Sequence, residues 1–231
     1  MMSGACPIVV TRTFTVFDPC GNSASCEQTI TIDDTIDPII ACPTDIDVEG
    51  CDESQITNGS LTALAYSETP IVITEIEFTN EGGSASDDCT IDSIEYVDVM
   101  SGECPIVVTR TFTVFDPCGN SASCEQTITI DDTIDPIIAC PADIEVEGCD
   151  ESQITNGSLT ALAYSETPIV ITEIEFTNEG GSASDDCTID SIEYVDVMSG
   201  ECPIVVTRTF TVFDPCGNSA SCEQTLSLIH I

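Results

Sequence analysis

Residues 104–114 read Cys-Pro-Ile-Val-Val-Thr-Arg-Thr-Phe-Thr-Val, and the same motif begins at Cys6 and again at Cys202. β-Branched and aromatic side chains dominate this stretch, as they do in β-strands. Phe112 and Val114 alternate with threonines, and this period of two predicts a strand with one face in a core. The stretch therefore predicts an all-β fold.

A second strand is predicted shortly after the first. Residues 124–130 place Cys124, Ile128 and Ile130 on one face and threonines on the other. The intervening residues 117–121 read Pro-Cys-Gly-Asn-Ser, a composition typical of turns. The two strands are therefore predicted to form a hairpin.

The remainder of the unit also reads mainly as strands. Four side chains are predicted to share an inward face: Ile40, Cys42, Ile46 and Val48. Residues 74–77, Thr-Glu-Ile-Glu, have the form of a helix capping box, and the glycines at 82–83 would end a short helix. The alternative is that residues 71–78 form a strand.

The motif repeats with a period of 98 residues, from Cys6 to Cys104 and from Cys104 to Cys202. This period fits a whole small domain rather than a solenoid unit. Residues 1–34 are predicted to be the C-terminal fragment of a repeat, with its last two strands. Residues 35–132 form a complete repeat, residues 133–225 a nearly complete one, and residues 226–231 a tail.

The tail departs from the repeat. Thr127 is followed by Ile-Thr-Ile-Asp-Asp, whereas Thr225 is followed by Leu-Ser-Leu-Ile-His-Ile. This hexapeptide resembles the translation of a sequencing-library adapter, so we expect a non-native tail on a metagenomic fragment. His230, the single histidine of the chain, lies in this tail and is therefore not expected to belong to a native functional site.

Acidic residues dominate the charge of the chain. There are 42 aspartates and glutamates against three arginines, with no lysine. Such a field repels nucleic acid, and no segment is long and apolar enough to insert in a membrane, so neither is an expected partner. The acidic residues are predicted, first of all, to form a solvated surface. Arg110, the only cation of its unit, either pairs with a carboxylate or is exposed.

Each complete unit contains six cysteines, in the first of them Cys42, Cys51, Cys89, Cys104, Cys118 and Cys124. An even number in a small unit predicts disulfides and a secreted or cell-surface location. A zinc site is disfavoured, because the sequence has no Cys-x-x-Cys pair and no histidine outside the tail.

Four motifs recur along the unit: Asp37-Pro38 before Ile40-x-Cys42-Pro43, then residues 86–89 (Ser-Asp-Asp-Cys), residues 115–120 (Phe-Asp-Pro-Cys-Gly-Asn), and Cys124-x-x-x-Ile128-x-Ile130. In these motifs the unit resembles the hyalin repeat (HYR), and in particular the cysteine-rich form found in repetitive surface proteins of bacteria. The resemblance implies tandem immunoglobulin-like β-sandwiches whose first and last strands are parallel. Residues 54–84 look like an insertion relative to that pattern.

The resemblance also implies a disulfide pattern closed within each repeat. The implied pairs are Cys42–Cys124, Cys51–Cys104 and Cys89–Cys118, and in the next repeat Cys140–Cys222, Cys149–Cys202 and Cys187–Cys216. A local Cys118–Cys124 bridge is the alternative. In the fragment 1–34, the three cysteines Cys6, Cys20 and Cys26 would then lack partners, and the fragment would be poorly anchored.

Calcium is the one cofactor for which the sequence provides a hypothesis. In the sandwich that the resemblance implies, linker and loop aspartates gather at the end where the chain enters, and carboxylates suit calcium. The candidate ligands are Asp33, Asp34, Asp37, Asp87, Asp88, Asp116, Asp131, Asp132 and Asp135. The alternative is that these aspartates cap turns and protect strand edges.

The expected function is structural rather than enzymatic, because histidine and lysine bases are missing from the repeats. The hyalin resemblance implies a spacer or adhesive array of a secreted or cell-surface protein, with the neighbouring repeats and an extracellular protein or glycan as partners. The alternative function is an extracellular ligand-binding module that uses the loops at one end.

Overall fold

A computed structural model describes residues 2–3, 6–57, 62–148, 160–201 and 203–229. The structure is predominantly β, as the sequence predicts. Contacts divide the chain into two compact units. The first comprises Met1–Val48, Asp52–Gly102 and Ile106–Ile130, and the second comprises Glu49–Cys51, Glu103–Pro105 and Asp131–Ile231. Two short internal segments of the repeat at 35–132, together with its last two residues, Asp131 and Asp132, therefore belong to the second unit.

The N-terminal fragment forms an antiparallel sheet of three strands in the order β1 (Met2–Ser3), β2 (Ile8–Phe17) and β3 (Ser23–Ile32). Its would-be core face remains largely open to solvent. Phe14 is 51% exposed, whereas Phe112, the same residue of the motif one repeat later, is completely buried. The hairpin forms from its local sequence, but the rest of a sandwich is needed to cover it.

The first unit continues with seven strands: β4 (Ile39–Ala41), β5 (Ile46–Glu49), β6 (Ile71–Ile73), β7 (Ser84–Ser86), β8 (Ser93–Ser101), β9 (Ile106–Phe115) and β10 (Ser121–Asp131). They form a five-stranded sheet, β5-β10-β9-β8-β6, and a two-stranded sheet, β4-β7. β9 and β10 make the predicted hairpin, with Phe112 opposite Cys124.

The second unit has the same arrangement in β11 (Ile137–Ala139), β12 (Ile144–Glu147), β13 (Ile169–Ile171), β14 (Ser182–Ser184), β15 (Ser191–Ser199), β16 (Ile204–Phe213) and β17 (Ser219–Ile229). β12 pairs with β17 in parallel, as the resemblance implies. β17 continues into the predicted tail, where Leu226 and Leu228 are buried. The tail sequence Leu-Ser-Leu keeps the alternation of Ile-Thr-Ile, and therefore occupies the same strand.

The main core of the first unit lies between its two sheets. Ile40 and Ala85 of the small sheet pack against a cluster that contains Ile94, Phe112 and Val114 of the large sheet. Residues 54–84, which look like an insertion, also contribute to the core, because Leu64 and Phe78 belong to the same cluster and Ile56 to an adjacent one. This segment is therefore part of the sandwich rather than an appendage.

A short helix in each unit confirms the predicted capping box. Helix α1 spans Glu75–Asn80, and α2 spans Glu173–Asn178. Thr74 Oγ1 accepts the backbone N–H of Glu77 at 3.2 Å, and Glu77 Oε2 accepts the N–H of Thr74 at 2.7 Å. β6 precedes α1 directly, so the strand and helix alternatives for residues 71–78 each hold for part of the segment. Among the described residues, neither of these helices nor any other is long and apolar enough to span a bilayer.

Arg110 lies in the core rather than at the surface. It is two residues before Phe112 on β9 and therefore points to the same side. Its Nε donates to Asp98 Oδ1 at 2.8 Å, its Nη2 to Asp98 Oδ2 at 2.9 Å, and both side chains are fully buried. The guanidinium also lies 4.7 Å from the ring centre of Tyr96. Arg208 and Asp196 form the same pair in the second unit.

Candidate functional site

Each linker between repeats contains an aspartate that caps a turn. Asp34 follows β3, and its Oδ1 accepts the backbone N–H of Ile36 at 3.0 Å. Asp132 follows β10, and its Oδ1 accepts the N–H of Ile134 at 3.0 Å. Aspartate favours such turns because its short side chain reaches the backbone two residues later. One oxygen of each carboxylate is thereby fixed.

A second pair of capping aspartates follows β7 and β14. Asp87 Oδ2 accepts the N–H of Cys89 at 2.9 Å, and Asp185 Oδ2 accepts the N–H of Cys187 at 3.0 Å. The other carboxylate oxygen of each capping aspartate is buried and accepts no hydrogen bond from a nitrogen or hydroxyl group of the described residues. These oxygens are Asp34 Oδ2, Asp87 Oδ1, Asp132 Oδ2 and Asp185 Oδ1.

Asp116 organises the turn between β9 and β10 and ties it to the linker. Its Oδ1 accepts the N–H groups of Cys118 and Asn120, and its Oδ2 accepts the Asn120 side chain at 2.7 Å. Burial opposes the charge of Asp116, but the hydrogen bonds from Asn120, Cys118 and Gly119 outweigh it and lower its pKa. Asn120 also donates to the carbonyl of Asp34 at 3.1 Å. Linker, loop and turn therefore meet at one place.

This meeting point brings several of the proposed calcium ligands together. Ligand atoms of Asp34, Asp87, Asp88 and Cys89 all lie within 4.8 Å of one another, as do those of Asp34, Asp116 and Cys118. In the second unit, ligand atoms of Asp132, Asp186 and Cys187 lie equally close.

The remaining proposed ligands lie elsewhere. Asp33 is beside Cys6 and Cys118, and Asp131 is beside Cys104 and Cys216. Asp37 and Asp135 are exposed in the linkers. Three aspartates of the second unit that were not among the proposed ligands occupy the positions of Asp87, Asp88 and Asp116 one period later: Asp185, Asp186 and Asp214. The 98-residue period is the sequence signal that identifies them.

Two of the implied disulfides are present in the structure. Cys42 is bonded to Cys124 and Cys140 to Cys222, each with Cα atoms 5.7 Å apart. Each bridge connects the segment after the first strand of a repeat to the last strand of the same repeat. The local Cys118–Cys124 alternative does not form, because Cys118 is bonded to another partner.

Three other implied pairs are wrong. Cys51 is bonded to Cys187 rather than to Cys104, and Cys104 is bonded to Cys216, so neither Cys51–Cys104 nor Cys187–Cys216 forms. Cys118 is bonded to Cys6, which replaces Cys89–Cys118 and supplies the partner that Cys6 was expected to lack. The implied Cys149–Cys202 pair falls outside the described residues.

The physical reason for these corrections is that the bridges run from one sequence repeat to the next. The segments Glu49–Cys51 and Glu103–Pro105 belong to the second compact unit, where Cys51 and Cys104 reach its loops. Cys6–Cys118 and Cys104–Cys216 are the same bridge one period apart, and both have a sequence separation of 112. The pattern therefore propagates along the chain.

A free thiol and a cavity mark this region of the first unit. Among the described cysteines, Cys20, Cys26 and Cys89 are free. Cys89 lines a cavity of about 380 Å³ whose wall also includes Ile8, Asp34 and Pro117. A hydrogen bond to Asp34, followed by burial and the charges of nearby aspartates, raises the pKa of the Cys89 thiol to about 11. The thiol is thus held in its protonated, weakly reactive form at neutral pH.

The arrangement combines covalent links between repeats with a compact group of carboxylates. No known family model matches the chain. No curated protein is significantly similar to it.

Proposed function

We propose that this chain is a structural segment of a secreted or cell-surface protein, in which tandem β-sandwich repeats act as a covalently linked spacer. The proposal includes no catalytic role. The observation that carries it is the pair of bridges Cys51–Cys187 and Cys104–Cys216, which join one sequence repeat to the next. A folded module that needed only internal stability would gain it from bridges within a repeat.

The extracellular location is supported by the same chemistry. Five disulfides are present among the described residues. Such bridges persist in oxidising compartments and are reduced in most cytosols. The resemblance to hyalin repeats adds an adhesive or spacer role, and the near-identity of the repeats favours the spacer.

Peptide mapping of the oxidised chain tests the covalent links. With no lysine present, trypsin cuts only after Arg12, Arg110 and Arg208. After thiol blocking and denaturation without reductant, the peptide 1–12 is expected to remain attached to 111–208 through Cys6–Cys118. Bridges closed within repeats would instead release peptide 1–12, and that release would count against the proposal.

A second digest examines the link between the repeat at 35–132 and the repeat at 133–225. Cleavage after glutamate yields the peptides 104–125 and 202–223. We expect a species in which these two peptides are joined through Cys104 and Cys216. The mapping should use protein oxidised during expression, because refolding from the reduced state permits disulfide exchange.

A second candidate function is binding of an extracellular protein segment or glycan by the loops at this end. The cavity of about 380 Å³ beside Cys89 is the observation that favours it. Its lining contains no aromatic side chain, so a protein segment suits it better than a sugar ring. Replacing Cys89 with tryptophan would fill the cavity, block such binding and leave a pure spacer unaffected.

A further inference from the structure

Asp132 is a buried carboxylate, and no N–H or O–H group of the described residues donates a hydrogen bond to one of its oxygens. The carboxylate of Glu49 lies within hydrogen-bonding reach of Asp132, so the two groups could share a proton. The residue is only 3% exposed. Its Oδ1 accepts the N–H of Ile134, whereas Oδ2 is buried and accepts no hydrogen bond within the part of the chain that the structure describes. Asp185 repeats the arrangement, since its Oδ2 accepts the N–H of Cys187 and its Oδ1 is buried without a partner. A buried, unpaired anionic oxygen is costly unless a ligand completes it.

The surroundings of Asp132 are acidic. Ligand atoms of Asp132 and Asp186 lie within 4.8 Å of each other. Burial raises the pKa of Asp132, the N–H of Ile134 opposes this, and the charges of Asp185, Asp186 and Asp214 raise it further. The third nearby ligand atom is the Cys187 sulfur, but the bridge to Cys51 removes its capacity to act as a thiolate.

Among the described residues of the second unit, no side-chain cation is placed to neutralise this cluster. It contains no lysine, and its arginines are Arg12, Arg110 and Arg208. Arg208 is the one that belongs to the second unit, and it is fully buried in its pair with Asp196. The cluster must therefore take up either protons or a cation from solution.

The first unit contains the same arrangement. Its buried oxygens without a hydrogen-bond donor are Asp34 Oδ2 and Asp87 Oδ1. They correspond, one period earlier, to Asp132 Oδ2 and Asp185 Oδ1 of the second unit. Ligand atoms of Asp34, Asp87 and Asp88 lie within 4.8 Å of one another. In the first unit the free Cys89 thiol also hydrogen-bonds to Asp34. Recurrence of the same buried oxygens in both units indicates a built feature rather than an accident of packing.

We propose that each cluster binds one calcium ion, held by Asp132, Asp185 and Asp186 in the second unit and by Asp34, Asp87 and Asp88 in the first. Calcium prefers several carboxylate and carbonyl oxygens and tolerates irregular geometry. Magnesium requires a near-ideal octahedron and retains its waters, so it fits these mixed loop and linker ligands less well. The proposal is independent of the spacer function, because it rests on the unsatisfied oxygens and not on the bridges.

The test is calorimetric titration of the oxidised full chain with calcium chloride in buffer of fixed ionic strength. Wild type is expected to bind two ions per chain. Asp132→Asn is expected to bind one, and the double variant Asp34→Asn/Asp132→Asn none. Asp135→Asn is the matched control, since it removes the same charge from an exposed position of the same linker. Equal loss of binding in this control would overturn the proposal.

Thermal unfolding with calcium and with chelator distinguishes calcium binding from the alternative, in which Asp132 and Glu49 share a proton. With chelator, Asp132→Asn is expected to melt at or above the wild-type temperature, because a buried charge has been removed. With calcium, the wild type is expected to gain stability and the variant not. No calcium-specific gain over magnesium or sodium in the wild type would overturn the proposal and leave the shared proton as the explanation.

Discussion

Replacing Arg110 with methionine tests whether the buried ion pair governs the stability of the first unit. The change removes both hydrogen bonds to Asp98 and the contact with the Tyr96 ring, and it leaves a buried carboxylate without its counter-charge. Removing one partner of a buried pair costs roughly 3–5 kcal/mol. For a domain of about 100 residues, 1 kcal/mol lowers the melting temperature by about 4–8 °C. We therefore expect Arg110→Met to lower the melting temperature of the first unit by at least ~12 °C.

The chain provides two internal controls for this experiment. Arg12 occupies the same position of the motif in the N-terminal hairpin, but it is exposed. Arg12→Met is therefore expected to change stability by less than about 0.5 kcal/mol. Arg208 and Asp196 are unaltered in the Arg110 variant, so the second unit should keep its own transition in a calorimetric scan.

A double-mutant cycle with Asp98→Asn measures the coupling of the pair. Asparagine retains an oxygen that can accept the backbone N–H of Ser67, which Asp98 Oδ2 accepts at 2.9 Å. The double variant is expected to recover a large part of the single-variant loss, because no uncompensated charge remains. A loss below about 1 kcal/mol for Arg110→Met, or additive single losses, would refute the assigned role of the pair.

Three further changes address other parts of the fold. Gly83→Ala should destabilise the first unit by roughly 1–3 kcal/mol, because the added methyl group would overlap the buried Phe78 ring. Urea unfolding measures this loss, and an unchanged midpoint would contradict the packing. The Cys89 thiol should react slowly with iodoacetamide at pH 8 because its pKa is about 11, and Asp34→Asn should accelerate the reaction. Equal rates would show that Asp34 does not control the pKa of the thiol. Asp116 should stabilise the fold above about pH 4 and lose this effect as pH falls through its lowered pKa, so acid unfolding of Asp116→Asn should be less steep than that of the wild type.

The strands and turns follow from local sequence. The alternation around Phe112, the turn before Ser121 and the capping box at Thr74 each depend on neighbouring residues, and each has the predicted form. From the sequence, Arg110 was expected either to pair with a carboxylate or to be exposed, although its place two residues before Phe112 was a signal for the inward position. Its partner could not be predicted, because Asp98 reaches it from a different strand of the sheet.

The disulfide partners show where sequence reasoning ends. Because the repeats are nearly identical, Cys89 and Cys187 have the same local sequence. The local sequence therefore cannot distinguish them as partners of Cys51. Which copy it reaches depends on the tertiary positions of the segments Glu49–Cys51 and Glu103–Pro105. The aspartates show the same limit of prediction. The turn that Asp132 caps involves only residues next to it in the sequence, whereas the groups around its second oxygen come from distant parts of the chain.

The two disulfides that flank strand β9 have a mechanical consequence. Cys104 immediately precedes this strand and is bonded forward to Cys216, while Cys118 closely follows it and is bonded back to Cys6. Under tension, the shortest covalent route through a repeat is then only the residues between Cys104 and Cys118, at most about 50 Å when fully extended. A released chain of 98 residues would reach roughly 320–350 Å. Because ten residues of the short route already lie in a strand, pulling on the oxidised chain gains almost no length from unfolding. Reduction would convert the same tether from inextensible to extensible.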